Sequence, residues 1–395
     1  MAATARHRRL PLQYYEKYRK MNKRILFVHQ SAELYGSDRT FEQSIRAYKT
    51  AHPNSCINAI LPYEGPLIDK IKPYVNKVYI EPLAVLRKAN LKSLKLLNIA
   101  AFIRSVRKAK KMIHAHDLTY INTVVIIDYL IASRLAKRAC LIHVHELPVG
   151  IEKIILSCLL SLSCGLVIFN SQPTKHAFIL PKERKTCVIL NGTNIKNDAP
   201  IDDLSHLRIL LIGRFSTKKG QMLFLKSLAL LPNSIKHNIE VRLVGNVYQN
   251  QIHFKQEIIE YISRLALGNN IQLCNFIEDP TQHYLWSNLV VVPSLKPEPF
   301  GLVAIEAMGY GRPVIAAQHG GLGDIIVDKV TGLFFKPGNS NDLAEKLSYY
   351  ANNVQSLKVH GEAGRTVFIK NYDELHYLKN MTQAIDSQLE SVTTC

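Results

Sequence analysis

The sequence predicts an α/β protein built from two doubly wound parallel sheets, one in each half of the chain. Three observations carry this. Short apolar runs that suit strands buried on both faces recur along the 395 residues, with helical segments between them. The alternation stops over residues 193–206 (TNIKNDAPIDDLSH), which are polar and aperiodic, and then starts again. A chain of this length also favours two or more domains over one, with ample residues for sizeable cores.

Residues 1–22 read as a basic, tyrosine-bearing arm, either a tail or a contact with a membrane surface. Strands are then expected at 24–30, 56–61, 78–80, 112–116, 140–145, 166–170 and 187–190. The loop 31–40 (SAELYGSDRT) leads to an amphipathic helix from Phe41, and its Gly36 and Ser37 stand where such folds place phosphates. Residues 91–111 predict a helix with one apolar side and many lysines and arginines. Residues 154–169 read as a buried helix followed by a strand, since serines and a glycine break them as a membrane span.

In the second half, strands are expected at 208–212, 241–245, 271–274, 289–293, 314–317 and 333–335, with closing helices at 342–350 and 372–389. The domain scheme is an arm 1–22, a first domain 23–195, a linker 196–206, a second domain 207–370 and a C-terminal helix within 371–395.

The formal net charge of +19 favours polyanionic partners: nucleic acid, acidic lipid or phosphorylated substrates. Seven scattered cysteines without a Cys-x-x-Cys pair argue against a disulfide framework or a zinc ribbon and suit a reducing compartment. No apolar stretch follows Arg6, Arg8 and Arg9, so the start does not read as a secretory signal, and a cytoplasmic protein is expected.

The richest stretch is 297–313, PEPFGLVAIEAMGYGRP, where seven residues separate Glu298 from Glu306. Pro299 disfavours helix at Glu298 and suits a helix start, so the helix is expected from Pro299 or Phe300 with Glu298 in the loop before it. The amides of Phe300, Gly301 and Leu302 would then face an anion or a hydroxyl. Glu306 lies in an apolar run and needs a partner, either a sugar or ribose diol or a buried arginine. Upstream, a strand, the loop 213–220 (GRFSTKKG) and a helix would gather Arg214 and Lys219 at a helix N-terminus, a geometry that favours a diphosphate.

His114 with His116, and His143 with His145, are pairs two apart on expected strands, near Asp117 and Glu146. They read either as satisfied polar groups or as metal ligands.

These motifs together resemble the retaining GT-B glycosyltransferases of the glycosyl transferases group 1 family. The likeness lies in EPFGLVAIE followed by AMGYGRPVIA, in Gly213-Arg214 with Lys219-Gly220, and in the strand-end elements Asn170-Ser171 and Asn191-Gly192. It implies two Rossmann-like doubly wound domains facing across a cleft, the second binding a nucleoside-diphosphate sugar. It also implies that Glu298 holds donor-sugar hydroxyls, Glu306 the ribose, and Phe300, Gly301 and Leu302 the sugar and diphosphate through their amides. Arg214 and Lys219 would hold the diphosphate, Phe276 and Ile277 would receive the base, and His145 (in HVHE) would face the sugar and acceptor. His319-Gly320-Gly321, with Asp324 three positions on, resembles a further family loop near the donor. The family usually has two adjacent glycines at the position of Tyr35-Gly36-Ser37.

The resemblance implies transfer to a saccharide or lipid-linked acceptor with retention, and no cofactor. No Asp-x-Asp metal motif occurs, so no metal is expected. An anionic membrane surface remains open as a partner. A sugar-nucleotide epimerase of similar fold is the alternative enzyme. A basic nucleic-acid-binding protein would explain the charge, but the basic segments lack interleaved aromatics, so no nucleic acid is expected.

Overall fold

The computed structural model describes residues 23–86, 99–195, 200–247, 252–265, 267 and 270–393. The expected arm 1–22, residues 91–98 of the expected basic helix and residues 196–199 of the expected linker lie outside them. The described chain forms two compact units. The first comprises the residues up to Asn170, Thr174–Leu190 and the residues from Leu375 on; the second comprises Ser171–Pro173 and Asn191–Glu374.

The first unit holds a sheet of seven parallel strands in the order β3-β2-β1-β4-β5-β6-β7. They are β1 (Arg24–His29), β2 (Cys56–Leu61), β3 (Lys77–Ile80), β4 (Leu118–Asn122), β5 (Ala139–Val144), β6 (Leu166–Phe169) and β7 (Thr186–Val188). Side chains alternate between two cores, as period-2 strands require. One core holds Ile25 and Phe27 of β1 with Phe41, Ile45 and Tyr48 of the helix Gly36–Ala51. The other holds Leu26 and Val28 with Val106, Ala109 and Ile113 of the helix Ile99–His114.

Three expectations need correction here. Residues 112–114 close a helix instead of opening a strand, because Val106, Ala109 and Ile113 continue the helical spacing of buried positions. The strand is Leu118–Asn122, buried throughout. The first helix begins at Gly36 instead of Phe41, since Asp38 accepts a hydrogen bond from the Tyr35 amide at 2.8 Å and caps it early. The helix Ile151–Leu162 is not buried all round: Ile151, Ile154 and Leu162 are 74%, 64% and 57% exposed.

The second unit has six parallel strands in the order β10-β9-β8-β11-β12-β13. They are β8 (Leu207–Ile212), β9 (Ile239–Val244), β10 (Ile271–Cys274), β11 (Leu289–Val292), β12 (Val314–Ala317) and β13 (Gly332–Phe335). In each sheet the chain first winds outward from one strand and then returns to that strand's other side. The reversal falls between β1 and β4 in the first sheet and between β8 and β11 in the second. At such a point the loops leaving the two strands run in opposite directions and open a crevice at their carboxyl ends.

The last helix, Glu374–Thr393, seats Tyr377, Met381, Ile385 and Leu389 in the first unit's core beside Phe41 and Tyr48. These positions repeat every four residues, one face of a helix. The Tyr377 and Tyr120 hydroxyls both meet the Ser44 Oγ, at 2.6 and 3.0 Å. Met381 is fully buried, so Met381→Ala should lower the unfolding free energy of the first unit by about 2–5 kcal/mol. The exposed Lys379→Ala should stay within about 0.5 kcal/mol, both read by chemical denaturation.

Candidate active site

In the second unit, the loop after β8 and the loop after β11 meet at the reversal point. The β8 loop turns through the short 3-10 segment Thr217–Lys219 into Gly220, whose φ is +77°. A Cβ on Gly220 would lie 1.9 Å from the Pro293 carbonyl oxygen, so this position needs glycine both for its conformation and for the contact. The Lys218 carbonyl also accepts a hydrogen bond from Leu295 N at 2.8 Å. Pressed together in this way, the loops place Lys219 Nζ 2.6 Å from Glu298 Oε1.

Ser294 Oγ donates to the same oxygen, and His319 Nε2 donates to the Ser294 carbonyl at 2.7 Å. Burial pushes the Glu298 carboxyl up, but Lys219 and Ser294 outweigh it and the group rests below its ordinary range. Gly320 and Gly321 close over this loop. The Gly321 amide donates to the Glu298 carbonyl at 2.7 Å, and a Cβ on Gly320 would come within 2.4 Å of that oxygen.

The helix following Glu298 is Leu302–Gly309, two or three residues later than expected, because Gly301 at φ +128° cannot be helical. Its first-turn amides begin just beyond the Lys219–Glu298 pair. Glu306 is buried and accepts a hydrogen bond from the Tyr284 hydroxyl at 2.6 Å. Tyr284 stacks on Tyr310 with ring centroids 5.0 Å apart. The buried Arg312 gives its guanidinium to the carbonyls of Tyr284, Leu285, Ser287 and Tyr310. Arg214 follows Gly213 on the β8 loop, and its carbonyl accepts from Gln221 Nε2 at 3.0 Å. Phe276 and Ile277 are exposed on the loop after β10, and the Phe276 amide reaches Asn246 Oδ1 at 3.4 Å. Ser171 Oγ donates to the Pro299 carbonyl at 2.6 Å, next to Glu298.

The first unit has its own polar cluster at the β1–β4 reversal. His145 lies just past β5, its ring 4.1 Å from that of His143, so these two histidines share a face as expected. His114 instead lies on a helix, and His116 is held by Asn58 and the Met112 carbonyl. His145 Nε2 meets Asn122 Oδ1 at 2.8 Å, Asn122 meets His29, and His29 Nε2 meets Asp38 Oδ1 at 2.6 Å. Thr123, the residue after β4, has φ +101°, a strained value for a β-branched residue. Its hydroxyl donates to Glu146, which also accepts from the amides of Val124 and His145.

Burial drops the His145 pKa to about 3 and raises that of Glu146 to about 7, and it holds His143 well below its ordinary value. Gly36 opens its helix on the surface, and the Ser37 carbonyl accepts from Asn122 Nδ2 at 3.1 Å. No group of three or more His, Cys, Asp or Glu that could hold a metal occurs among the described residues.

The structure therefore joins Lys219, Glu298, Ser294 and the loop 319–321 in one cluster, and His145, Asn122, His29 and Asp38 in another. The sequence reading passed over Ser294, Tyr284, Tyr310, His29, Asp38, Asn122 and Thr123. The one available signal was polar residues ending buried strands: His29 closes β1 and Asn122 closes β4.

Residues 198–367 match the family model for Glycosyl transferases group 1. An uncharacterized glycosyltransferase of Methanocaldococcus jannaschii is 29% identical over 184 residues, 46% of this chain and 48% of the relative. The lipopolysaccharide 1,2-N-acetylglucosaminetransferase of Salmonella typhimurium is 26% identical over 203 residues, half of each chain. The matches thus span about half the length of these curated relatives. The crystal structure of Anabaena HepE in complex with UDP and glucose aligns with a TM-score of 0.76 at 24% identity, covering 93% of this chain and all of that one. This likeness shows the fold, the two-domain α/β class of GT-B glycosyltransferases.

The polar cluster of the first unit has a pH signature. An unfolded His145 takes a proton near its ordinary 6.5, whereas the folded site refuses it until about 3. Its contribution is therefore present above 6.5 and is lost as the pH falls toward 3. Glu146, raised to about 7, acts in the opposite sense: its contribution is present below its ordinary 4.5 and is lost as the pH rises through 7. Comparison with His145→Gln isolates the histidine. From pH 7 to pH 4 the variant should lose less unfolding free energy than the wild type, as measured by urea denaturation at each pH.

Proposed function

We propose, from the match of residues 198–367 to the model for Glycosyl transferases group 1, that this chain moves a sugar from a nucleoside-diphosphate sugar to a saccharide or lipid-linked acceptor. The observation that carries the reading is the Lys219–Glu298 pair at the reversal point of the second sheet, beside the start of the helix Leu302–Gly309. A cation and free helix amides together suit a diphosphate. A carboxylate held charged by Lys219 and Ser294 suits sugar hydroxyls. Glu306, buried against Tyr284, takes the ribose; Arg214 joins Lys219 at the diphosphate; Ile277 and its loop receive the base.

The reaction proceeds with retention. The bond from the acceptor oxygen to the anomeric carbon forms on the face from which the bond to phosphate breaks, and the departing phosphate oxygen takes the acceptor's proton. Charge developing on that oxygen falls to Arg214, Lys219 and the amides of Phe300, Gly301 and Leu302, so the reading needs no metal ion. From the first unit, His145 stabilises the sugar or orients the acceptor, and Gly36 and Ser37 contribute a helix start to the donor.

The proposal extends to an anionic membrane surface at the inner face of the cytoplasmic membrane. The helices Ile99–His114, Ile127–Ala136 and Ile151–Leu162 pack side by side on one face of the first sheet. Their outer surface exposes Arg104, Arg107, Lys111, Arg134 and Lys137 along with Ile99, Ile103, Leu135, Ile151 and Ile154. Basic and apolar groups mixed on one surface suit acidic headgroups with shallow insertion. No helix among the described residues is long and apolar enough to cross a membrane.

Two experiments test this. In a thermal-shift and turnover screen of nucleotide sugars, with UDP-glucose first in view of the HepE ligands, one donor should stabilise the protein and be consumed. Lys219→Ala should lower kcat by about 100-fold or more, and Glu306→Ala should abolish the shift. A panel without any response would sink the transferase reading. For the membrane, flotation with vesicles of phosphatidylglycerol should capture the protein at low salt and release it at high salt, while neutral vesicles should not. Equal failure with both vesicles would remove the membrane from the proposal.

A further inference from the structure

We propose that Asp38, His29 and Asn122 are positioning residues that hold His145 as its Nε2–H tautomer, so that Nδ1 meets the substrate as a hydrogen-bond acceptor. The inference rests on the transferase reading only in giving His145 a substrate to meet; the tautomer itself follows from the first unit alone.

The direction of each hydrogen bond follows from its neighbours. Asp38 Oδ2 is occupied by the Tyr35 amide at 2.8 Å, and Oδ1 faces His29 Nε2 at 2.6 Å. A carboxylate can only accept, so His29 carries its proton on Nε2. His29 Nδ1 faces two groups, the Asn122 carbonyl at 3.4 Å and Asn122 Nδ2 at 2.9 Å; the amide nitrogen of the shorter contact can only donate, so Nδ1 is a lone pair. One further contact fixes the Asn122 amide in that sense. Its Nδ2 also reaches the Ser37 carbonyl at 3.1 Å, which a flipped amide would oppose with an oxygen. Asn122 Oδ1 therefore presents an acceptor to His145 Nε2 at 2.8 Å, and the proton of His145 must sit there. Nothing among the described residues hydrogen-bonds His145 Nδ1.

His29 and Asn122 are fully buried and Asp38 is 1% exposed, so none of the three can exchange its partner for water. An amide and two rings linked head to tail from one carboxylate polarise each other in a single direction. The charged and titratable groups facing His145 are His143, His29 and Asp38, and burial keeps His145 neutral. A neutral ring with a bare Nδ1 accepts a hydrogen bond from a sugar or acceptor hydroxyl and gives none. It orients that hydroxyl without taking its proton, which leaves the proton to the departing phosphate.

The test is long-range proton–nitrogen NMR on the full chain with 15N-labelled histidine at pH 7.5, the His145 signals being identified by their loss in His145→Gln. The wild type should show a protonated Nε2 and a bare Nδ1; a proton on Nδ1 overturns the proposal. In Asn122→Ala the His145 signals should move toward the other tautomer. With the donor found above, kcat should fall 10- to 100-fold while the donor KM changes less than 3-fold. Unchanged signals and an unchanged kcat in that variant would overturn the relay. If the variant does not fold, the wild-type spectrum still decides. The expected tautomer in a protein that turns over no nucleotide sugar would support the relay and sink only the transferase reading.

Discussion

Parallel strands covered by helices on both sides leave this protein one kind of place for chemistry. The inner strands of the first sheet, β1, β4 and β5, bury their side chains in one of two apolar cores, and the second sheet is covered around Leu211 and Val291. Charged groups are costly there. They collect at the carboxyl ends of the strands, and the loops separate widely enough to admit a ligand only where strand order reverses. The two polar clusters described above lie at these two reversals, one per sheet.

The two clusters handle charge differently. In the second unit a lysine and a carboxylate face each other on partly open loops, and Lys219 helps hold the Glu298 carboxyl ionised. Such a pair satisfies both charges at the protein surface with neither side chain fully buried. In the first unit burial drives the groups toward neutrality, so His145 is uncharged and Glu146 is near the border.

Much of the fold was legible because buried parallel strands leave a strong pattern. Runs such as RILFVH and RILLI, bounded by polar loops, cannot settle elsewhere. The strand LTYIN was misplaced because MIHAH just before it also alternates, and only the burial of Ile113 shows that the helix continues through it. The glycines at 220, 301, 320 and 321 and the two glutamates were visible as a motif. Their partners were not. Lys219 and Glu298 lie on loops after β8 and β11, and their meeting depends on which strands are neighbours, which alternation along the chain does not encode. For the same reason Asp38, His29, Asn122 and His145, drawn from three strand ends and a helix start, read as unrelated polar residues.

The helix Glu374–Thr393 makes the first unit discontinuous, with a whole second unit inserted before its last element. During synthesis, which runs at about 5–20 residues per second, the second unit can complete its core while the first still lacks Tyr377, Met381 and Ile385. Until those side chains leave the ribosome, the groove between Phe41, Tyr48 and Tyr120 stays uncovered, a target for chaperones and for aggregation. The half that is translated first therefore receives its last core side chains only after the whole second unit has been made.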